Sequence, residues 1–265
     1  MKNITLGITI FFTLLSFGQV STNKVHDAII EEFLINCAEK YNYTFEMTEW
    51  QDCLDTGLKK DSTVAYLWQQ KSMPYFKCKK YEVGMQYLDK AVYYKKERWL
   101  SYRAFIKCIF TRAYKEAIVD FDEAIKLYGD SYVMDHSFNF YKGICYLQLN
   151  EYEKAEKLFD DYVNDIYKNR QQLEHATAYF YQGIAKYELK KWDEAIAIFD
   201  KALRVYPEFS DVKYYKAICW LKQGKSREEV VALVGIARED AAKGYTINED
   251  NTVYETYPYQ IKFSK

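Results

Sequence analysis

Six cysteines, three histidines and a few paired acids are the residues of this chain that could do chemistry. The usual sequence signature of a structural zinc site is Cys or His in closely spaced pairs. No Cys-x-x-Cys pair exists, and His26, His136 and His175 are scattered. Acyl transfer, metalloproteolysis and phosphate binding each have a short signature: Gly-x-Ser-x-Gly, His-Glu-x-x-His and a glycine-rich loop. None is present. Asp160–Asp161 and Asp120/Asp122 fall on faces expected to be exposed on helices, where carboxylates are simply solvated. Cys108, Cys145 and Cys219 fall on apolar helical faces and are expected to pack as small hydrophobes. Cys37–Cys53 is the pair to test first for a disulfide. The sequence therefore shows no nucleophile–base constellation, no metal set and no cofactor motif. A non-enzyme is expected.

The elements that carry these residues are helices. Of 265 residues, only 3 are Pro and 10 are Gly, which suits long helices and tight turns. Lys and Arg (37) balance Asp and Glu (38), which argues against a nucleic-acid partner. The N-terminus differs from the rest. Met1–Asn3 carries one positive charge, Ile4–Phe17 is apolar, and Ser16 and Gly18 are small residues two apart. Residues 1–18 are expected to be a cleaved signal peptide, because the apolar run is short against a span of about 20 residues. Export to the periplasm or the outside follows. No later segment is apolar enough to insert in a membrane.

A two-part unit then recurs. It is clearest in Ala178–Pro207, and again in Phe138–Val163, Leu100–Gly129 and Leu67–Val92. A small residue occupies one slot of each second helix: Gly84, Ala117, Ala155 and Ala195. Twelve residues before each stand Ser72, Phe105, Gly143 and Gly183. Short side chains at such slots let helices approach closely, while Phe159 and Phe199 fill the space beside them.

Tyr179, Gly183, Ala195, Phe199, Ala202 and Pro207, with Gly143, Tyr146, Ala155 and Phe159, make the chain resemble the tetratricopeptide repeat family. Weaker units flank the four: Glu31–Lys60, with Ala38, Tyr41 and Leu58 in place, and Ser210–Tyr245, where Glu229 stands for the expected Ala. The resemblance implies an all-α solenoid of about six helical hairpins in a right-handed superhelix, spanning residues 24–243. Two units are long, and the extra length is expected to extend a second helix across Asn164–Leu173.

In such an array the first helices line the concave side. Helical spacing picks out an aromatic stripe there: Tyr66, Gln69 and Met73; Trp99, Tyr102 and Ile106; Phe140 and Ile144; Phe180, Ile184 and Tyr187; and Tyr214. Of these, Tyr66, Gln69, Trp99, Tyr102, Phe140, Phe180, Tyr187 and Tyr214 are the candidate contacts for a protein or peptide partner. Two readings stand: the rings pack between hairpins, or part of the stripe is an open groove. The slots that clamp carboxylate termini in one family subtype hold Gln70, Arg103, Tyr141 and Tyr181 here, which does not fit that clamp.

Residues 244–265 break the helical pattern. Tyr257, Tyr259, Ile261 and Phe263 alternate with Pro258, Gln260, Lys262 and Ser264, as in an extended segment with one apolar face. The tail either lies on its own solenoid or joins a partner's sheet edge. The function expected is an exported scaffold for a protein partner. The alternatives are carbohydrate or cell-wall fragment binding, since Tyr and Trp stack on sugars, and an accessory subunit of an envelope complex.

Overall fold

A computed structural model describes residues 22–169 and 175–263. The signal segment, residues 1–18, lies outside them. Among the described residues the fold is a row of antiparallel helical hairpins. The first pairs α1 (Thr22–Ile30), continued by a π-helical stretch over Glu31–Ile35, with α2 (Met47–Lys60). Then follow α3 (Ala65–Lys77) with α4 (Tyr81–Tyr94), and α5 (Lys96–Ile109) with α6 (Tyr114–Tyr128). Next come α7 (Phe138–Gln148) with α8 (Tyr152–Asn169), α9 (Ala176–Glu188) with α10 (Trp192–Val205), and α11 (Ser210–Lys222) with α12 (Arg227–Ala242). Each second helix also packs on the next first helix, so the stack is an all-α solenoid.

The repeat slots explain the nesting. Ala117, Ala155, Ala195 and Ser72 are fully buried. Glycine rather than alanine at two first-helix slots has a direct cause. A Cβ on Gly143 would sit 2.7 Å from the Phe159 ring, and one on Gly183 only 2.4 Å from the Phe199 ring. The second-helix ring packs directly against bare backbone. In the second hairpin the arrangement is reversed, with Gly84 on α4 facing Phe76 on α3 at 2.7 Å. The turn inside each hairpin from the second onward places one residue in the left-handed region: Lys79, Arg112, Asn150, Lys190 and Gly224. Each stands five residues before the second-helix slot, so the turn is part of the repeat. Glu229, out of pattern as a slot residue, instead completes a reciprocal cap with Ser226 at the start of α12.

The extra length is used in two ways. The eighth helix runs to Asn169, through most of the stretch expected to be helical, and residues 170–174 lie outside those described. The other long unit, for which no helix extension was placed, uses its extra residues differently. It folds a two-stranded antiparallel hairpin between α6 and α7: β1 (Tyr132–Val133) and β2 (His136–Ser137). Ser137 then caps α7 by accepting from the Phe140 N–H.

The first hairpin has a core of its own, built on Phe33, Leu34, Ala38, Trp50, Leu54 and Leu67. Cys37 and Cys53 form a disulfide across it, with Cα atoms 5.8 Å apart. Cys108, Cys145 and Cys219 are buried free thiols and Cys78 is an exposed one. The bridge closes a loop of 16 residues. By loop-closure entropy that contributes about 3 kcal/mol. Reduction should therefore speed amide exchange across residues 22–60 and leave α7–α10 unchanged. Equal loosening of both regions would show that the bridge does not act locally.

Candidate partner-binding face

The chain's own tail lies along the first helices, the side expected to be concave. The segment leaves α12, runs to the second hairpin and turns back. The Ile247 N–H donates to one oxygen of Asp211 at 3.0 Å, and the Ile261 N–H donates to the other. One carboxylate thus holds both ends of the excursion, as at the neck of a compact loop. Burial pushes the Asp211 carboxyl up to about 6, against the pull of those two N–H donors.

Between the two ends the contacts move across the array. Glu249 reaches His136 at 3.0 Å. The ring of Tyr254 lies under the Lys77 ammonium. Glu255, 4% exposed, accepts from the Tyr81 hydroxyl and has Lys79 and Arg112 each at 3.9 Å. Those two cations sit on the left-handed turn residues of neighbouring hairpins. On the way back the Tyr181 hydroxyl donates to the Pro258 carbonyl at 3.0 Å, Tyr259 packs on Tyr215, and Phe263 on Tyr214. Tyr257 is buried and its hydroxyl is pushed up by burial. The segment is irregular, with a short 3-10 turn at Asp250–Val253, rather than the continuous extended run its alternation suggested.

The sequence-selected residues fall into three groups. Phe140 (1% exposed) and Phe180 (0%) are core rings between hairpins, so the packing reading describes these two and they present no surface. Tyr187 and Tyr214 lie part-buried at the tail end of the face; Tyr187 packs on Tyr215 and Tyr214 on Phe263. The other four border clefts, although Gln69 (4% exposed) and Trp99 (7%) are themselves buried. Gln69 and Tyr102 line one of about 440 Å³, with Met73, Ile106 and the tail's Tyr254. Burial pushes the Tyr102 hydroxyl up to about 12, while a hydrogen bond to Gln69 pulls it the other way. Tyr66 and Trp99 stack at 6.0 Å on the wall of a second cleft, about 410 Å³, between the first and third hairpins.

The acids need a correction. Asp120 was expected to be solvated, yet it is 4% exposed. It accepts from Arg103 at 2.8 and 2.9 Å and from Lys107 at 2.7 Å. A buried carboxylate needs such partners. The other acids form a series. Asp89, Asp122, Asp160 and Asp200 each stand five residues after the second-helix slot. They bond forward to Arg103, Lys142, Gln182 with Lys186, and Lys216 on the next first helix. The fixed offset was visible in the sequence and marks register between hairpins. Being half-exposed, most of these pairs add little stability.

Two of the three scattered histidines come together. His136 on β2 is fully buried, and its ring stacks on Phe140 at 3.8 Å. His175, which precedes α9, lies 4.8 Å away ring to ring. Burial first, then His136, holds the His175 imidazole below its ordinary value. Glu249 of the tail completes the cluster. No sequence spacing could have shown this, because the three residues come from separate elements. No described helix is long and apolar enough to cross a membrane.

Residues 112–171 and 176–209 match profiles of the tetratricopeptide repeat. No curated protein matches the chain. Among solved structures, a tetratricopeptide repeat protein from Parabacteroides merdae superposes with a TM-score of 0.60 at 14% identity, over 84% of this chain and 79% of that one. PilW, a type IV pilus biogenesis factor, gives 0.59 at 17% identity, over 83% and 92%. YrrB, a protein of the same repeat class with an unusual peptide-binding site, gives 0.51 at 15%, over 76% and 95%. At these identities the likeness is one of fold. Two stretches of the chain are thus matched to the tetratricopeptide repeat, and the stacked hairpins share the fold of these solved proteins.

Proposed function

We propose that this chain is an exported scaffold that holds a protein or peptide partner on its inner face and does no chemistry itself. The observation that carries the reading is the tail. Contacts from the second hairpin to the sixth hold an irregular polypeptide segment through aromatic packing, buried acids and backbone hydrogen bonds. A face that holds one such segment has the chemistry to hold another. Proteins of this repeat class bind protein or peptide partners, and YrrB is described as having a peptide-binding site. Export is supported by the signal-like N-terminus and by the Cys37–Cys53 bridge, since disulfides persist in oxidising compartments.

The surface left beside the tail is where a partner makes first contact: the cleft of Gln69 and Tyr102 and that of Tyr66 and Trp99. Tyr187 and Tyr214 join if the tail lifts. Phe140 and Phe180 act only by shaping the face. A photo-crosslinking residue in place of Tyr66 or Met73, in cells that make the full chain, should trap a protein in the exported fraction. Gln69→Ala with Tyr102→Ala should abolish the adduct at Met73 while helicity stays unchanged. Adducts that persist through that pair, or no protein adduct at either position, would refute this placement of the partner.

A further inference from the structure

We propose that His136, His175 and Glu249 form a site for a divalent transition-metal cation of the zinc class, ligated by two imidazoles and one carboxylate. The ligand atoms already converge. All three lie within 4.8 Å of one another, and His136 Nε2 is 3.0 Å from Glu249 Oε1. Tetrahedral zinc with bonds of about 2.0–2.1 Å keeps its ligand atoms roughly 3.3 Å apart, so that pair stands at chelating distance. The His175 ligand atom lies within 4.8 Å of the other two and closes the set by moving toward them.

A plain His–Glu hydrogen bond accounts for two of the three residues but not the third. His175 Nδ1 is buried and has no hydrogen-bond partner among the described residues. Buried polar atoms are rarely left bare. A cation between the three groups gives that nitrogen its partner.

The surroundings fit a metal as well. The other nitrogen of His136, Nδ1, is 2.9 Å from the Tyr162 hydroxyl. Metal-bound histidines usually donate their second N–H to a fixed acceptor, which sets tautomer and ring orientation. Without metal, one proton on Nε2 serves Glu249 while Tyr162 donates to Nδ1. With metal, that proton sits on Nδ1 and the Tyr162 hydroxyl accepts it, so the ring stays neutral. Two neutral imidazoles and one carboxylate suit a zinc-like dication, whereas calcium and magnesium prefer oxygen-rich sets. The site would join β2, the entry to α9 and the tail, three elements far apart in the chain. It stands independently of the partner reading.

The test uses the full mature chain, stripped with a chelator and titrated with Zn²⁺ against a chromogenic competitor. One Zn²⁺ per chain is expected. His175→Ala, and separately Glu249→Gln, should weaken binding at least tenfold while the circular dichroism spectrum holds. Glu249→Gln keeps the side-chain volume, so it remains informative if the histidine variant unfolds. Tyr162→Phe should keep the stoichiometry and weaken binding. Co²⁺ should give the intense visible bands of a four-coordinate nitrogen–oxygen site. Cys78→Ser and His26→Ala, which alter donors away from the cluster, should change nothing. No saturable Zn²⁺ binding, or binding indifferent to both His175→Ala and Glu249→Gln, would overturn the proposal.

Discussion

A chain that ends at Asn251 should melt roughly 10 °C below the full chain, a loss of about 3–5 kcal/mol, comparable with truncating one buried aromatic in a core of this size. Removing Thr252–Lys265 takes away buried Tyr257 and leaves the inner faces of Tyr181, Tyr214 and Tyr215 uncovered. Asp211 loses the Ile261 N–H, and Tyr81, Lys79 and Arg112 lose Glu255. The helices themselves keep their hairpin partners, so helicity should change little. Dye binding to exposed apolar surface should rise. A synthetic peptide of residues 244–265, added in excess, should recover part of the lost melting temperature by mass action. An unchanged melting curve would mean that the tail contacts contribute no net stability. Loss without recovery by the peptide would mean that the face holds its segment only when tethered.

Gly183→Ala should cost about 1–2 kcal/mol net even though alanine is the better helix former. Two effects oppose. Propensity favours alanine by about 1 kcal/mol. The new Cβ, however, would lie 2.4 Å from Phe199, whose ring is fully buried and cannot swing aside. Overpacking of this kind typically costs about 1–3 kcal/mol, and here the contact is severe enough to outweigh propensity. The partner change Phe199→Leu removes the ring edge, so the double variant should be less destabilised than the sum of the singles by about 1 kcal/mol or more. Gly235→Ala is the control. It sits on α12 with nothing within 4 Å of the added carbon, and should stabilise by about 0.5–1 kcal/mol. Denaturant melts of the four variants decide the matter. A neutral Gly183→Ala would show that the ring does not pin the helix pair.

Most of the architecture could be read from residues because its signals are local and repeated. Ala155, Ala195 and Gly183 mark close approach wherever they recur, and the same offsets fix turns and helix pairs. Asp120 was misread because helical position alone did not reveal Arg103 and Lys107 closing over it from the neighbouring helix. Of the candidate face, Phe140 and Phe180 share a stripe with Tyr66 and Tyr214, yet helical periodicity does not separate a ring wedged between hairpins from one at the rim. The β-hairpin at Tyr132–Ser137 was missed because two-residue strands carry no periodicity. The meeting of His136, His175 and Glu249 depends on where an irregular tail comes to rest, which no spacing encodes.

A stack of hairpins in which each touches only the next is held together like a row of links, and can come apart one link at a time from either end. The tail changes that. By touching the second, third, fifth and sixth hairpins, and the β-hairpin that leads into the fourth, through one continuous segment, it ties the fate of distant links together. Unfolding of this array should accordingly be closer to all-or-none than repeat count alone would suggest. An event that frees the tail would loosen the middle of the row as readily as its last member.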